Sequence, residues 1–346
     1  MPAPTPTPLV AATPMAFARC ITWAYAARGL CATDALAHAG ISPRSVHDEN
    51  GRITAAQFER LSAFAMRELD DEALGWFSRP LPWGSYGMLA RASLSAPTLG
   101  LALRRWCRHH GLLTRDVTLH IETTEAEASI QIVDHCSLGV HHAFAHVSLL
   151  RNLLGLGSWL IDSRIPLRAV DFAYPPPPYA DVYPILFPTS NGVQFGASHT
   201  RMRFDAGYLG LRLRRDEAAM NQMLGRALPL LVQHYRRDRL LVERVKTCLH
   251  TYPQDTQSAA DVAQRLHLSV RTLHRQLHDA GTSLQTLKDQ TRRDRALELL
   301  QRTPWPVKQV ASAAGFRHEK SFMRAFRAWT GMTPTEYRAQ AASAGR

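Results

Sequence analysis

Apolar positions recur most clearly in the last ninety residues. Val262, Ala263 and Leu266 mark one face of a short helix. After a tight turn, Val270, Leu273 and Leu277 follow at spacings of three and four, which predicts a second helix N-capped by the hydroxyl of Ser269. The pattern returns 48 to 50 residues later: Val310-Ala311, Ala314 and Phe316 answer Val262-Ala263, Leu266 and Leu268, and Phe322, Arg324, Phe326, Gly331 and Thr333 answer Leu273, Arg275, Leu277, Gly281 and Ser283. Phe322, Phe326 and Trp329 form the second buried face, and Gly281 and Gly331 stand where each helix should stop. Between the copies, Leu284 to Leu300 is helical in pattern, with Leu284, Leu287, Ala296 and Leu300 for the core and Arg292, Arg293 and Arg295 outside. It ends near Pro304-Trp305-Pro306, and Pro306 can open the next helix at its first position.

Upstream the periodicity is mixed. Residues 19 to 113 read as mainly helical, with turns at Gly40 to Pro43, Asn50-Gly51 and Pro80 to Gly84 and an amphipathic run from Thr98 to His110. Thr118 to Val133 alternates like a hairpin, an apolar helix runs from Val140 to Ile161, and short strands fall at Val170 to Phe172, Val193 to Phe195 and Met202 to Phe204. Asp216 to His250 then reads as helices, through Met220, Met223, Leu224, Leu228 and Leu231 and then Leu241, Val245 and Leu249, which suit a dimer seam, a coupling element or ordinary core. The expected fold is an α+β N-terminal domain followed by an all-α domain with two helix-turn-helix motifs. Its spans are a Pro-rich disordered tail at 1–18, the α+β domain at 19–210, a helical connector at 211–252 and the double helix-turn-helix at 253–346.

Charge sharpens the second half of that reading. Of 346 residues, 41 are Lys or Arg and 29 Asp or Glu, a net of +12. Residues 256–346 hold 15 basic and 7 acidic residues, so a quarter of the chain carries +8 of the excess. Such a concentration is the footprint of a polyanion partner or of a solvated basic face. The pattern decides between them. On the first predicted second helix Arg271, Arg275 and His278 lie at i, i+4 and i+7 opposite the apolar face, with His274 beside them; on the second, Lys320, Arg324 and Arg327 do the same, with Met323 between. One such arginine alone suits a solvated face or an internal ion pair. Recurrence at one phase in two copies points to paired recognition helices, each shaped for a major groove.

With these residues in view, the sequence resembles the AraC/XylS family of bacterial transcription factors. Gly315-Phe316, Ser321-Phe322, Arg324, Phe326, Gly331, Pro334 and Tyr337-Arg338 carry the second copy, and Leu268-Ser269, Arg271, Leu273, His274-Arg275, Leu277 and Gly281 the first. The departures are Arg317-His318 after Gly-Phe, which bears on base preference, and Leu284 at a common aromatic position. A looser likeness, through Thr98 to Leu103, Pro166-Leu167, Val170 to Phe172, Tyr183 to Phe187, Val193 to Ala197 and Arg203 to Asp205, is to the arabinose-binding-type, non-cupin effector domain of one branch. The resemblance implies an effector-binding and dimerisation domain at 19–210 and a seven-helix DNA-binding domain at 253–346. It implies base readout by Arg271, His274, Arg275, Glu319, Lys320, Met323 and Arg324, with backbone contacts from Ser269, Thr272, Lys288, Ser321 and Arg327. Glu319 suits cytosine or, as we favour, the dipole of its own helix. The implied partners are duplex operator DNA, a small-molecule effector of unknown identity, RNA polymerase and a second copy of the chain.

The competing reading is a metal sensor or enzyme with a basic tail, built on His135, Cys136, His141, His142 and His146, where His142 and His146 share a helical face. No H-E-x-x-H motif or nearby carboxylate completes it, and His109-His110 is a weaker pair still. Gly196-Ala-Ser198 is half a nucleophile elbow with Thr200 where the second glycine belongs, and no Walker or dinucleotide fingerprint occurs. No enzyme, metal or cofactor is therefore expected. Cys20, Cys31, Cys107, Cys136 and Cys248 are scattered without a C-x-x-C pair, which predicts reduced thiols. The apolar stretch around Leu149 to Ile161 is interrupted by Arg151 and too short to span a bilayer, and the N-terminus lacks a basic leader, so a cytoplasmic protein away from membranes is expected.

Overall fold

A computed structural model describes residues 13–225, 239–253, 255–256, 258–316 and 318–344. Residues 1–12 of the expected tail, Leu228 and Leu231 of the expected connector, and Arg317 lie outside them. The chain divides into two compact units, Met1–Tyr235 and Arg236–Arg346.

The N-terminal unit is α+β. A two-residue strand β1 (Thr13–Pro14) leads into α1 (Met15–Ala26), so helix starts inside the span read as tail. Then follow α2 (Thr33–Ala39), β2 (Arg52–Ile53, paired to β1), α3 (Ala55–Glu68), α4 (Ser85–Leu94) and α5 (Leu99–Leu113). Thr54 closes a capping box with Gln57 at the start of α3. The expected hairpin is β3 (Val117–Thr123) and β4 (Glu127–Asp134), and the apolar run is α6 (His142–Leu160), with fourteen of its nineteen residues buried. Next come β5 (Leu167–Phe172), α7 (Tyr183–Leu186), β6 (Val193–Phe195), β7 (Thr200–Asp205) and α8 (Glu217–Leu224). The sheet order is β3-β4-β7-β5-β6, antiparallel except for β5 and β6. The alternation seen in sequence is the sheet's two faces: Leu119, Ile130 and Ile132 are buried while His120 is exposed.

The C-terminal unit holds seven helices among the described residues: α9 (Arg239–Thr251), α10 (Ala259–Arg265), α11 (Val270–Asp279), α12 (Leu284–Arg302), α13 (Val307–Ala313), α14 (Glu319–Thr330) and α15 (Pro334–Ala344). They build two cores. Leu241, Val245 and Leu249 of α9 pack with Val262, Ala263, Leu273, Leu277, Leu284 and Leu287; Ala296 and Leu300 pack with Val310, Ala311, Ala314, Phe322 and Phe326. The stripe of α9, offered above as seam or core, is core, and α12 gives its first half to one cluster and its second half to the other.

Three expectations need correction here. Val270 is 39% exposed, because it opens α11 one turn ahead of the buried Leu273. Arg292 and Arg295 are half-buried, since the middle of α12 passes between the two halves: the Arg292 guanidinium lies 5.0 Å over the Phe316 ring, and Arg295 donates to the His250 carbonyl at 3.2 Å. Pro306 is the N-cap of α13, one residue before its first turn.

Candidate nucleic-acid interface and ligand cavity

Each copy of the C-terminal repeat reduces to the same hydrogen bonds. In the first, the N–H of Leu266, His267 and Leu268 donate to the carbonyls of Val262, Gln264 and Ala263; in the second, Ala314, Gly315 and Phe316 donate to Val310, Ser312 and Ala311. The turn needs a left-handed residue, and His267 (φ 54°) occupies the place that Gly315 (φ 83°) takes in the other copy. Ser269 Oγ accepts from the Thr272 N–H, as its sequence position suggested, and donates to Thr272 Oγ1 at 2.8 Å. Gly281 and Gly331, both at positive φ, end the second helices.

That framework fixes which side chains face outward. Leu273 and Leu277, and Phe322 and Phe326, are fully buried, each worth about 1.5–3 kcal/mol of apolar burial. Trp329 is only half-buried, against Phe316 at 5.9 Å, because it sits at the edge of its core. Opposite them, Arg271, His274, Arg275 and His278 on α11 and Glu319, Lys320, Arg324 and Arg327 on α14 are exposed, while Thr272, Ser321 and Met323 are half-buried. Glu319 lies in the first turn of α14, where the helix dipole favours its charge.

Several basic residues elsewhere in the unit have acidic partners, while Arg295 and Arg338 donate to backbone carbonyls. Arg265 meets Asp255 at 2.9 Å, Arg302 meets Glu298 at 3.1 Å and Arg293 meets Asp294 at 3.3 Å. Among the described residues Arg271, Arg275, Lys320 and Arg324 are in no ion pair. Lys288 departs from expectation: it is buried at the wall of a small crevice with Leu249, Pro253, Thr256 and Ala314, and burial, aided by Arg292, lowers its ammonium pKa. A phosphate contact requires a displayed charge, which this enclosure denies it.

In the N-terminal unit the histidine cluster is rearranged. His135 bonds Thr118 Oγ1 and Cys136 is exposed; neither joins His142 and His146. The carboxylate missing from the sequence pattern is Asp134, at the end of β4, whose oxygens lie 2.8 Å from His146 Nε2 and 2.9 Å from His142 Nε2. Burial would raise the Asp134 carboxyl, but the two imidazoles outweigh it and hold it below the usual carboxylate range. His146 Nδ1 lies 2.8 Å from Thr200 Oγ1, which accepts from the Ala173 N–H, so β4, α6 and β7 are laced together through the exposed Asp134 and the buried His146 and Thr200. Asp134, His142 and His146 are also the residues that could hold a divalent metal. No helix of the described residues is long and apolar enough to cross a membrane.

A cavity of about 370 Å³ lies in the same unit among α3, α4, α5, α6 and the end of α8. Trp76, Phe77, Leu89, Trp106, Phe144 and Leu149 form much of its wall. Its members are scattered from residue 58 to 225, and no local motif announces it.

Residues 29–213 match the arabinose-binding domain of AraC transcription regulators, N-terminal, and residues 262–340 match a helix-turn-helix domain. An ornithine utilization regulator of Pseudomonas aeruginosa is 28% identical over 326 residues, covering 94% of this chain and 96% of that one. The transcriptional regulator VqsM of the same organism is 34% identical over 98 residues, 28% of this chain and 30% of its own. Among solved structures, the transcriptional regulator CdpR from Pseudomonas aeruginosa is 21% identical, covering 88% of this chain and 96% of that one at a TM-score of 0.32.

Proposed function

The chain belongs to the AraC family of DNA-binding transcription regulators, and from that premise we propose that α11 and α14 of one chain read two successive major grooves of an operator while the N-terminal unit senses a small molecule. The observation that carries this reading is the set of exposed cations without acidic partners at matching phase on two copies of one motif. Electrostatic free energy left unused inside the protein is available to phosphates and guanine edges. Arg271, His274 and Arg275 read the first groove, and Lys320, Met323 and Arg324 the second. Ser269, Thr272, Ser321 and Arg327 lie toward the backbone, and Glu319 serves its helix terminus. The nineteen-residue α12 spans roughly 28 Å, of the order of the ~34 Å between neighbouring grooves on one face of B-DNA. A second copy of the chain and RNA polymerase complete the assembly.

The test is selection of bound sequences from random duplexes, followed by footprinting. Two protected major-groove patches one turn apart are expected. Arg275→Ala and Arg324→Ala should each cost about 1–3 kcal/mol on the selected site and relax base preference in one patch only. Equal losses on selected and random DNA would refute readout by these side chains.

A further inference from the structure

We propose that the cavity of the N-terminal unit holds a flat, mostly apolar aromatic molecule that carries hydrogen-bond acceptor oxygens, of the class of bicyclic aromatic acids and planar aromatic ketones. This rests on the reading that the N-terminal unit senses a small molecule, and assigns that sensing a site and a ligand chemistry.

At about 370 Å³ the cavity falls within the range of small-molecule sites. Its wall is unusually aromatic, and Trp76, Phe77, Trp106 and Phe144 offer ring faces and edges that favour a planar guest. Five wall residues each carry a buried polar atom with no hydrogen-bond partner among the described residues: Ser62 Oγ, Trp76 Nε1, Tyr86 OH, Trp106 Nε1 and His110 Nδ1. They are five of twelve such atoms in the described chain, gathered at one place. Orphaned polar groups are uncommon in a packed interior and call for a partner. An indole N–H only donates, so the partner must bring acceptors.

The charges set the polarity of the guest. Burial pushes the His110 imidazole down to about 4, so it is neutral near pH 7 and adds no cation to the depth of the site. Arg67 and Arg91 line the cavity but are exposed, so a carboxylate on the guest would sit at the solvent side. Burial raises the Glu72 carboxyl pKa, and both of its oxygens already accept from the N–H of Gly84 and Tyr86, so it offers a diamine a weakened partner. A sugar would set a ring of hydroxyls against the apolar wall, stranding most of them.

Full-length protein is titrated with 2-naphthoate and with flavone, following tryptophan fluorescence and melting temperature, against L-arabinose, L-ornithine and dodecanoate. Saturable one-site binding of an aromatic probe is expected, tighter than any of the three comparators. Tyr86→Phe and Ser62→Ala should each weaken it roughly three- to tenfold, since each removes one hydrogen-bonding atom with little change of shape. Ser148→Trp, which fills the cavity, should abolish it. Tighter binding of a comparator, or aromatic binding indifferent to both Tyr86→Phe and Ser62→Ala, overturns the inference. Specific DNA binding with no saturable aromatic site also overturns it and leaves the DNA reading standing. Aromatic binding without specific DNA binding supports the site and removes that reading.

Discussion

The two turns of the C-terminal unit offer a matched pair of substitutions with opposite expected signs. A residue with a Cβ in the left-handed region costs roughly 1–2 kcal/mol, whereas removing a glycine gains about 0.4–1 kcal/mol by narrowing the unfolded ensemble. Gly315→Ala should therefore destabilise by about 1 kcal/mol. A Cβ built on Gly315 meets Arg292 Nε, Pro253 Cβ and the Pro253 carbonyl at 3.5 Å each, ordinary van der Waals contact, so no clash enlarges that figure. At His267 the terms reverse. Its side chain is exposed and its φ is +54°, so His267→Gly should stabilise by a similar amount. For a unit of this size 1 kcal/mol corresponds to about 4–8 °C, with the two variants moving the melting temperature in opposite directions. Calorimetry on the full chain, following the transition of residues 236–346, measures both. If His267→Gly also lowers the melting temperature, the backbone account is wrong and His267 acts through its side chain.

Three further outcomes follow from particular environments. Lys288→Met should leave the salt dependence of DNA binding unchanged, whereas Arg327→Met, at a proposed backbone contact, should reduce the slope by about one; a reduced slope for Lys288→Met would place that ammonium on a phosphate. The unfolded chain protonates His110 near its ordinary pKa of about 6.5 and the folded one only near 4, so its contribution is full above pH 6.5, falls between 6.5 and 4, and is flat below. Between pH 7 and 5 that is about 2 kcal/mol, and His110→Phe should flatten denaturation midpoints over that interval relative to wild type; parallel pH profiles would contradict the burial argument. Phe326→Ala, which empties a fully buried site against Phe322 and Tyr337, should cost about 3–5 kcal/mol and be visible in urea unfolding.

What the sequence made legible is what short-range periodicity controls. The 48-residue repeat placed both helix pairs, the Ser269 cap and the outward phase of Arg275 and Arg324, because a helix converts spacing directly into direction. Val270 and Arg292 were misassigned, for burial there depends on where a helix end or its middle meets other elements. The α9 stripe at Leu241, Val245 and Leu249 announced its apolar face, with no indication of what it packs against. Asp134 escaped notice because it stands on a strand eight residues before His142, and only the return of α6 over the sheet unites them. The cavity is the extreme case: Ser62, Trp76, Tyr86, Trp106 and His110 look like ordinary core residues until their polar atoms are found without partners.

Helix α12 is clamped by one core at each end, so it acts as a ruler. Each residue of an α-helix turns the chain by about 100° and advances it ~1.5 Å, while each base pair of DNA turns the groove by only about 34°. No single insertion or deletion in one can be matched by one in the other. On the proposed two-groove reading, operator spacing is set by the length of this single helix, and a shift of one base pair between half-sites would strain the seat of Leu287 in one core or of Ala296 in the other.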